Sequence, residues 1–449
     1  MKRIIQRLLV AGLLPALGLS AGAQPPWTLE ACIRHALEHN IQIKQGEQEQ
    51  AAREIELHTS QHSWLPSLNA GIGQNLDFGR SPSKDGLIVD RNSANSSVSL
   101  QMSMPVFEGF RIPNNIAARR LNLQAAVEAL NKAREDLAVG VASYFLQVLY
   151  NKEIRHIAEL QIALTAEQVR RTEALVNAGK APASQLYDIK AQQAKDEATL
   201  TEARNNVSLA LLDLAQSLEL EHFGKDFDIS APEIGDPVAE LAACLLPPEH
   251  IYEHAVAFKP QIREQEYLLE SQKKTLKVAQ SGYYPKLNLN ASYGNGYYHY
   301  SGSSDVVNTP FGDQFRQNER KTIGLTLSIP IFNRFEVRNS VRSARVAIVN
   351  RELMMENAKK ALYKEIQQAY FNAAAAQEQY LASGKAVEAG REAFTYAEER
   401  YSSGKSSVFE YGEARTKYAQ SLSQQAQAKY NFIFRAKILD FYNGKPITL

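Results

Sequence analysis

His35, Glu38 and His39 come nearest in this chain to a reactive constellation. The run His35-Ala36-Leu37-Glu38-His39 has the residue order of one class of zinc peptidase. On a helix, two imidazoles four residues apart share a face, with the glutamate beside them as a general base. A zinc hydrolase also needs a third ligand and a cleft, and no downstream segment supplies both. A solvated helix face is therefore the more economical reading. His58 and His62 repeat the four-residue spacing and would hold a metal only weakly. Cys32 and Cys244 are the only cysteines. They could pair in an oxidising compartment, but two thiols are no disulfide framework, so their pairing stays open. A phosphate loop, a serine nucleophile elbow and a CxxC pair are all missing. No catalytic residue, cofactor or metal is expected.

The elements that would carry these residues belong to an exported protein. Lys2, Arg3 and Arg7 precede an apolar run from Leu8 to Leu19, and Ala21-Gly22-Ala23 follows. That order is a secretory signal over 1–23, too short to span a bilayer and without a cysteine at the cleavage site for a lipid anchor. The whole chain has 50 Lys+Arg against 49 Asp+Glu. Such a balance makes the chain a poor candidate for binding nucleic acid or anionic lipid.

Beyond the signal the chain is written twice. Trp64-Leu65-Pro66-Ser67-Leu68-Asn69 returns as Tyr284-Pro285-Lys286-Leu287-Asn288. Met104-Pro105-Val106-Phe107 returns as Ile329-Pro330-Ile331-Phe332, and Asn177-Ala178-Gly179-Lys180 as Ser402-Ser403-Gly404-Lys405. The intervals are nearly constant, which marks a duplication. One repeat covers 24–220 and the other 249–449, with a proline-bearing connector over 221–248 between them.

Each repeat reads as a helix of about 30 residues starting near Thr28 or Pro248, two strands joined by a polar loop, a very long helix, a glycine turn and a last helix. Leu68, Ala70, Ile72 and Leu76 alternate with polar or small residues, as do Val98, Leu100, Met102 and Met104. Leu287, Leu289, Ala291 and Tyr293 do the same in the second repeat, and so do Ile323, Leu325, Leu327 and Ile329. One face is apolar and the other small and polar, with aromatic residues such as Trp64, Tyr283, Tyr284 and Tyr298 at the ends. This is the pattern of a membrane barrel strand. A half-buried sheet in a soluble domain would alternate too, but it would not gather aromatic girdles. Four strands cannot enclose a water channel, whereas three chains would supply twelve. The long helices, about Pro113–Ala178 and Val337–Ser403, contain no internal proline and would each reach about 100 Å. Leu130, Leu137, Val141, Tyr144 and Val148 recur at coiled-coil intervals, as do Leu362, Ile366, Ala369 and Ala373.

In this order, the motifs resemble the outer-membrane efflux proteins of the TolC type (outer membrane factors). The residues that carry the resemblance are Trp27-Thr28-Leu29-Glu30-Ala31, Leu65-Pro66-Ser67-Leu68, Pro105-Val106-Phe107-Glu108-Gly109, Leu212-Asp213-Leu214-Ala215-Gln216 and the Tyr401…Gly404 turn. The resemblance implies a mainly α chain with a membrane β-barrel part, trimerising into a 12-strand barrel and a 12-helix periplasmic tunnel. It implies an outer-membrane channel that passively serves an efflux or type I secretion system, and the expected partners are a periplasmic adaptor, an inner-membrane pump and outer-membrane lipid.

It also assigns residues. Glu410 and Glu413 would ring the pore aperture, although acids in a helix's first turns also suit its dipole. Gly179, Lys180, Gly404, Lys405 and Ser406 would form the tip that meets the adaptor, and Pro105, Phe107, Pro330 and Phe332 the strand-to-helix junctions. The family often has an acid where this chain has Gln185, and a gate-locking arginine where it has Ser406. The family's gating network is therefore not carried over. The alternative to a channel is a periplasmic coiled-coil scaffold without a pore, which leaves four alternating strands unexplained.

Overall fold

A computed structural model describes residues 27–82, 86–220, 227–232, 246–301 and 307–448. The segment 1–23 that reads as a leader, Cys244 and most of the connector lie outside the described residues.

The first repeat opens with α1 (Leu29–His39), capped by Thr28, whose hydroxyl accepts from the Ala31 amide. The single opening helix expected from the sequence is in fact two. Asn40 is extended at φ −61 and ψ 133, and its side chain accepts from Gln42 N at 2.8 Å to start α2 (Ile41–Gln61). An asparagine that caps the next helix ends the previous one.

Next come β1 (Ser67–Asp77), a small hairpin of β2 (Arg80–Pro82) and β3 (Ile88–Asp90), and β4 (Asn92–Glu108). The first repeat closes with α3 (Arg111–Asn177) and α4 (Ala183–Ser217). The hairpin occupies part of what reads in sequence as a plain polar loop.

The second repeat has the same plan, with α5 (Pro248–Phe258), α6 (Pro260–Gln280) and β5 (Lys286–Ser301). A short α7 (Phe311–Gln317) stands in its strand loop, followed by β6 (Arg320–Ser328), α8 (Glu336–Ser402) and α9 (Val408–Tyr442). Here the opening helix breaks at Lys259, extended at φ −62 and ψ 127, because Pro260 disfavours helical geometry in the residue before it. The two repeats agree to the residue in their longest parts: α3 and α8 are each 67 residues, α4 and α9 each 35. At 1.5 Å per residue the long helices extend about 100 Å.

The main sheet is antiparallel in the order β1-β4-β5-β6. Its register gathers the apolar residues into rows: Leu68 opposite Met102, Met102 opposite Ala291, and Ala291 opposite Ile323. The polar positions form the other, concave face. Gln101, Ser103, Asn290, Ser292 and Thr326 line a cavity of about 400 Å3 there. The apolar face is bare, with Ile72 86% and Ile323 80% exposed. Among the described residues, β1 and β6 each lack a partner strand on one side.

The core sits in the helices. Leu29, Cys32 and Ala36 of α1 pack with Phe145 and Val148 of α3, Leu214 of α4 and Phe432 of α9. Ile251 and Ile262 pack with Leu362, Ile366 and Leu439 in the corresponding cluster of the second repeat. The described piece of connector joins the first cluster: Ile229 is buried there, and Trp27 bridges to it. No described helix is long and apolar enough to cross a membrane.

Candidate functional site: the helical tips and the sheet junction

Both long helices end in the same turn. Gly179 (φ +70) and Gly404 (φ +73) take the left-handed conformation that glycine adopts without strain. Lys180 N donates to Leu175 O at 2.8 Å, and Lys405 N to Arg400 O at 2.8 Å. Each is the six-to-one bond of a Schellman cap, which satisfies carbonyls the helix leaves open. Lys180 and Lys405 are thereby held, exposed, at the two tips.

The chain then re-enters a helix differently in the two repeats. Pro182 stands at the start of α4 with no side-chain cap. Ser407 caps α9 by accepting from the Glu410 amide at 3.2 Å, in the Ser-x-x-Glu spacing of a capping box. Ser406 Oγ donates to the Glu410 carboxylate at 2.6 Å, and Arg400 lies 3.8 Å from it. The Ser406 hydrogen bond first, then a backbone hydrogen bond at Ser407 and last the Arg400 charge, hold the Glu410 carboxyl below the usual carboxylate range. Glu413 is paired one turn on, with Lys417 at 2.7 Å. The cap explains Glu410's place locally, and both carboxylates remain half exposed at the tip.

Above the tip lies a polar cluster that sequence reading missed. Arg415, only 2% exposed, reaches from α9 to Asp196 on α4 at 3.0 Å and to the Thr165 hydroxyl on α3. Gln192 donates to the other Asp196 oxygen at 2.7 Å. Gln168 meets the buried Tyr411 hydroxyl at 3.4 Å, and burial raises the Tyr411 pKa. Arg415 follows Tyr411 by four residues on the same buried stripe. The available signal was a charge on a helix seam that should be apolar.

A second buried cation, Lys259, stands at the break between α5 and α6. It pairs with Glu135 at 3.1 Å and lies 3.5 Å from the Phe441 ring centre. Burial lowers its pKa despite those partners.

At the other end of the long helices, strand passes into helix through an aromatic pair used twice. Phe107 meets Phe110 edge-on at 5.4 Å, and Phe332 meets Phe335 edge-on at 5.6 Å. Phe110 and Phe335 are both left-handed, at φ 65 and φ 64, and each immediately precedes its long helix. Gly109 has no alternative residue: at φ +61, a Cβ there would stand 2.7 Å from Ser281 O. Pro105 lies inside β4, at a register shift between Pro105 and Phe107, where a missing amide is tolerated. Pro330 lies just past β6 in irregular backbone.

The histidine pair of α1 is locally engaged. His35 and His39 stack at 4.1 Å, and His39 Nδ1 lies 3.0 Å from His35 O. Burial, then the neighbouring His39, lowers the His35 pKa. Among the described residues, no group of three or more His, Cys, Asp or Glu could hold a metal.

The model of the family described as outer membrane efflux protein matches residues 32–219 and again 251–439, once per repeat. The outer membrane efflux protein BepC of Brucella suis biovar 1 (strain 1330) is 20% identical over 318 residues, 71% of this chain. The match spans 63% of BepC, somewhat under two thirds of its length. The outer membrane protein TolC of Escherichia coli (strain K12) is 22% identical over 412 residues, covering 88% of this chain and 77% of TolC. The crystal structure of the CmeC outer membrane channel of Campylobacter jejuni shares the fold, with a TM-score of 0.73 at 16% identity. That alignment covers 99% of this chain and 95% of CmeC. With both repeats matched, this chain belongs to the outer membrane efflux protein family.

Proposed function

We propose that this chain is one protomer of a trimeric outer-membrane channel whose helices extend into the periplasm and end at an adaptor and inner-membrane pump. The observation that carries this reading is the sheet. It has an apolar face open on one side, a polar concave face on the other, and two edges that need partner strands. Exposed edges of this kind are removed by closure into a barrel. A membrane demands that closure, because backbone groups in lipid must all be satisfied.

On this reading 1–23 is the leader, 24–220 and 249–449 are the two repeats, and 221–248 is an equatorial connector. Gly179, Lys180, Gly404, Lys405 and Ser406 face the adaptor. The channel conducts passively and transforms nothing, so its substrates are chosen by the pump.

The test is single-particle imaging of the protein extracted from outer membranes in mild detergent. A three-fold hollow cylinder over ~100 Å long, with a detergent-covered cap, is expected from helix length and strand number. A soluble rod without such a cap would return the scaffold reading.

The aperture is tested separately. Six carboxylates from Glu410 and Glu413 of three chains would favour cations. E410Q/E413Q is expected to reduce cation preference in single-channel recordings. Unchanged selectivity would remove these residues from the aperture and leave the fold standing.

A further inference from the structure

Where the sheet meets the helices, a cleft of about 900 Å3 opens between α3, α6 and α8. One wall is cationic: Lys277 near the end of α6, with Arg338, Arg342 and Arg345 on the first turns of α8. Spacings of four and three residues put the arginines on one face of their helix. Val341 and Ala344, beside that face, are buried, while the three arginines and Lys277 are exposed. Among the described residues, no carboxylate lines the cleft. The Arg338 guanidinium lies 5.6 Å from the Phe335 ring centre.

The other wall is aromatic, formed by Phe110, Tyr283 and Tyr284. Phe107 stands opposite Leu287, and Leu287 opposite Leu327, so Phe107 belongs to the apolar face of the sheet. Phe110 meets Phe107 at 5.4 Å and Tyr284 at 6.4 Å. The aromatic wall therefore continues the bare apolar surface, and the cleft lies on the outer side of the sheet. Tyrosines collect at the headgroup level of a membrane, and basic side chains beside it attract anionic lipid.

We propose that this cleft binds the phosphate of a phospholipid headgroup in the periplasmic leaflet. The inference rests on the barrel orientation proposed above. Guanidinium forks match phosphate oxygens, and Asn114 and Gln280 add neutral hydrogen-bonding groups to the lining. The acyl chains run over Phe110 and Phe107 onto the Leu287–Leu327 row. A seated lipid contacts the ends of three helices at once, where tube and barrel meet.

The test reconstitutes the full protein in phosphatidylcholine vesicles containing a minor share of phosphatidylglycerol. Insertion and oligomeric state are recorded first, and the lipid retained after gentle extraction is then weighed by native mass spectrometry. The wild-type protein is expected to retain phosphatidylglycerol in preference. R338Q/R342Q/R345Q should insert as the same oligomer and lose that preference, by about fivefold per arginine. R170Q/K195Q/R204Q, which removes equal charge further along the helices, should leave the preference unchanged.

Three results would overturn the proposal. The arginine variant could insert and keep its preference. It could fail to assemble, which would make the arginine row a seam between copies. Millimolar inorganic phosphate could displace the lipid fully, which would make this a free-phosphate site. If the wild-type protein did not enter vesicles at all, the barrel orientation would fail, a result distinct from loss of lipid preference.

Discussion

The two repeats share the backbone of their long helices and differ in what those helices bury. Counted from the starts of the matching helices, Thr165 and Asp196 of the first repeat correspond to Gly390 and Ser421 of the second. Both pairs meet. Thr165 bonds to Asp196 directly, and a Cβ on Gly390 would stand 3.1 Å from Ser421 Oγ. The contact survived duplication while its chemistry diverged. A small, neutral pair closes the second repeat, and an ion pair with Arg415 locks the first repeat to the second. Cys32 of α1 and Ile251 of α5 show the same divergence, each buried in the core of its own repeat.

The largest effect is expected from breaking that lock. D196A leaves Arg415 buried without its counter-charge and should cost about 3–5 kcal/mol, read by chemical unfolding followed through helix content. D196A/R415M should recover most of the loss, since replacing both partners removes the unpaired charge. If D196A proved neutral, the ion pair would not distinguish the repeats.

Next in size is a pH effect confined to the first repeat. Burial pushes the Cys32 thiol from its ordinary value of 9.0 up to about 12. The folded chain keeps that proton while the unfolded chain releases it above pH 9. Stability is therefore full below about pH 9 and declines towards pH 12, by about 1.4 kcal/mol per pH unit. C32V, which resembles the Ile251 side of the comparison, should flatten that decline in melting curves taken from pH 8 to 11.

The tips give smaller effects. G179A and G404A each force an L-residue into the left-handed region, at about 1–2 kcal/mol. Equal losses are expected, because the two turns have the same geometry. S407A removes a cap that the first repeat lacks at Pro182, and should cost about 1 kcal/mol by the same unfolding measurement. A loss well above that would mean the Ser406–Glu410 contact depends on the cap.

Much of the fold was legible because its signals are local. Period-two alternation marked all four main strands, and an uninterrupted run without proline marked the long helices to within about two residues. Repetition of short motifs exposed the duplication. The breaks at Asn40 and Lys259 were missed, although Pro260 signals one of them. The hairpin Arg80–Asp90 and the helix Phe311–Gln317 were also missed, since polar loops carry no strong periodicity. At the tips the glycine turns are legible in the sequence, whereas the capping box and the Arg400 contact at Glu410 emerge only in the structure.

What the sequence determined by itself is the identity of each element and which of its faces is apolar, because side-chain periodicity follows from backbone geometry alone. What only the tertiary structure decided is which faces meet. Arg415, Asp196 and Thr165 come from three helices. The arginine row of α8 becomes one wall of a cleft only when the aromatic residues of the junction supply the other. Contacts between residues far apart in the chain depend on register and helix rotation, and no local pattern encodes either.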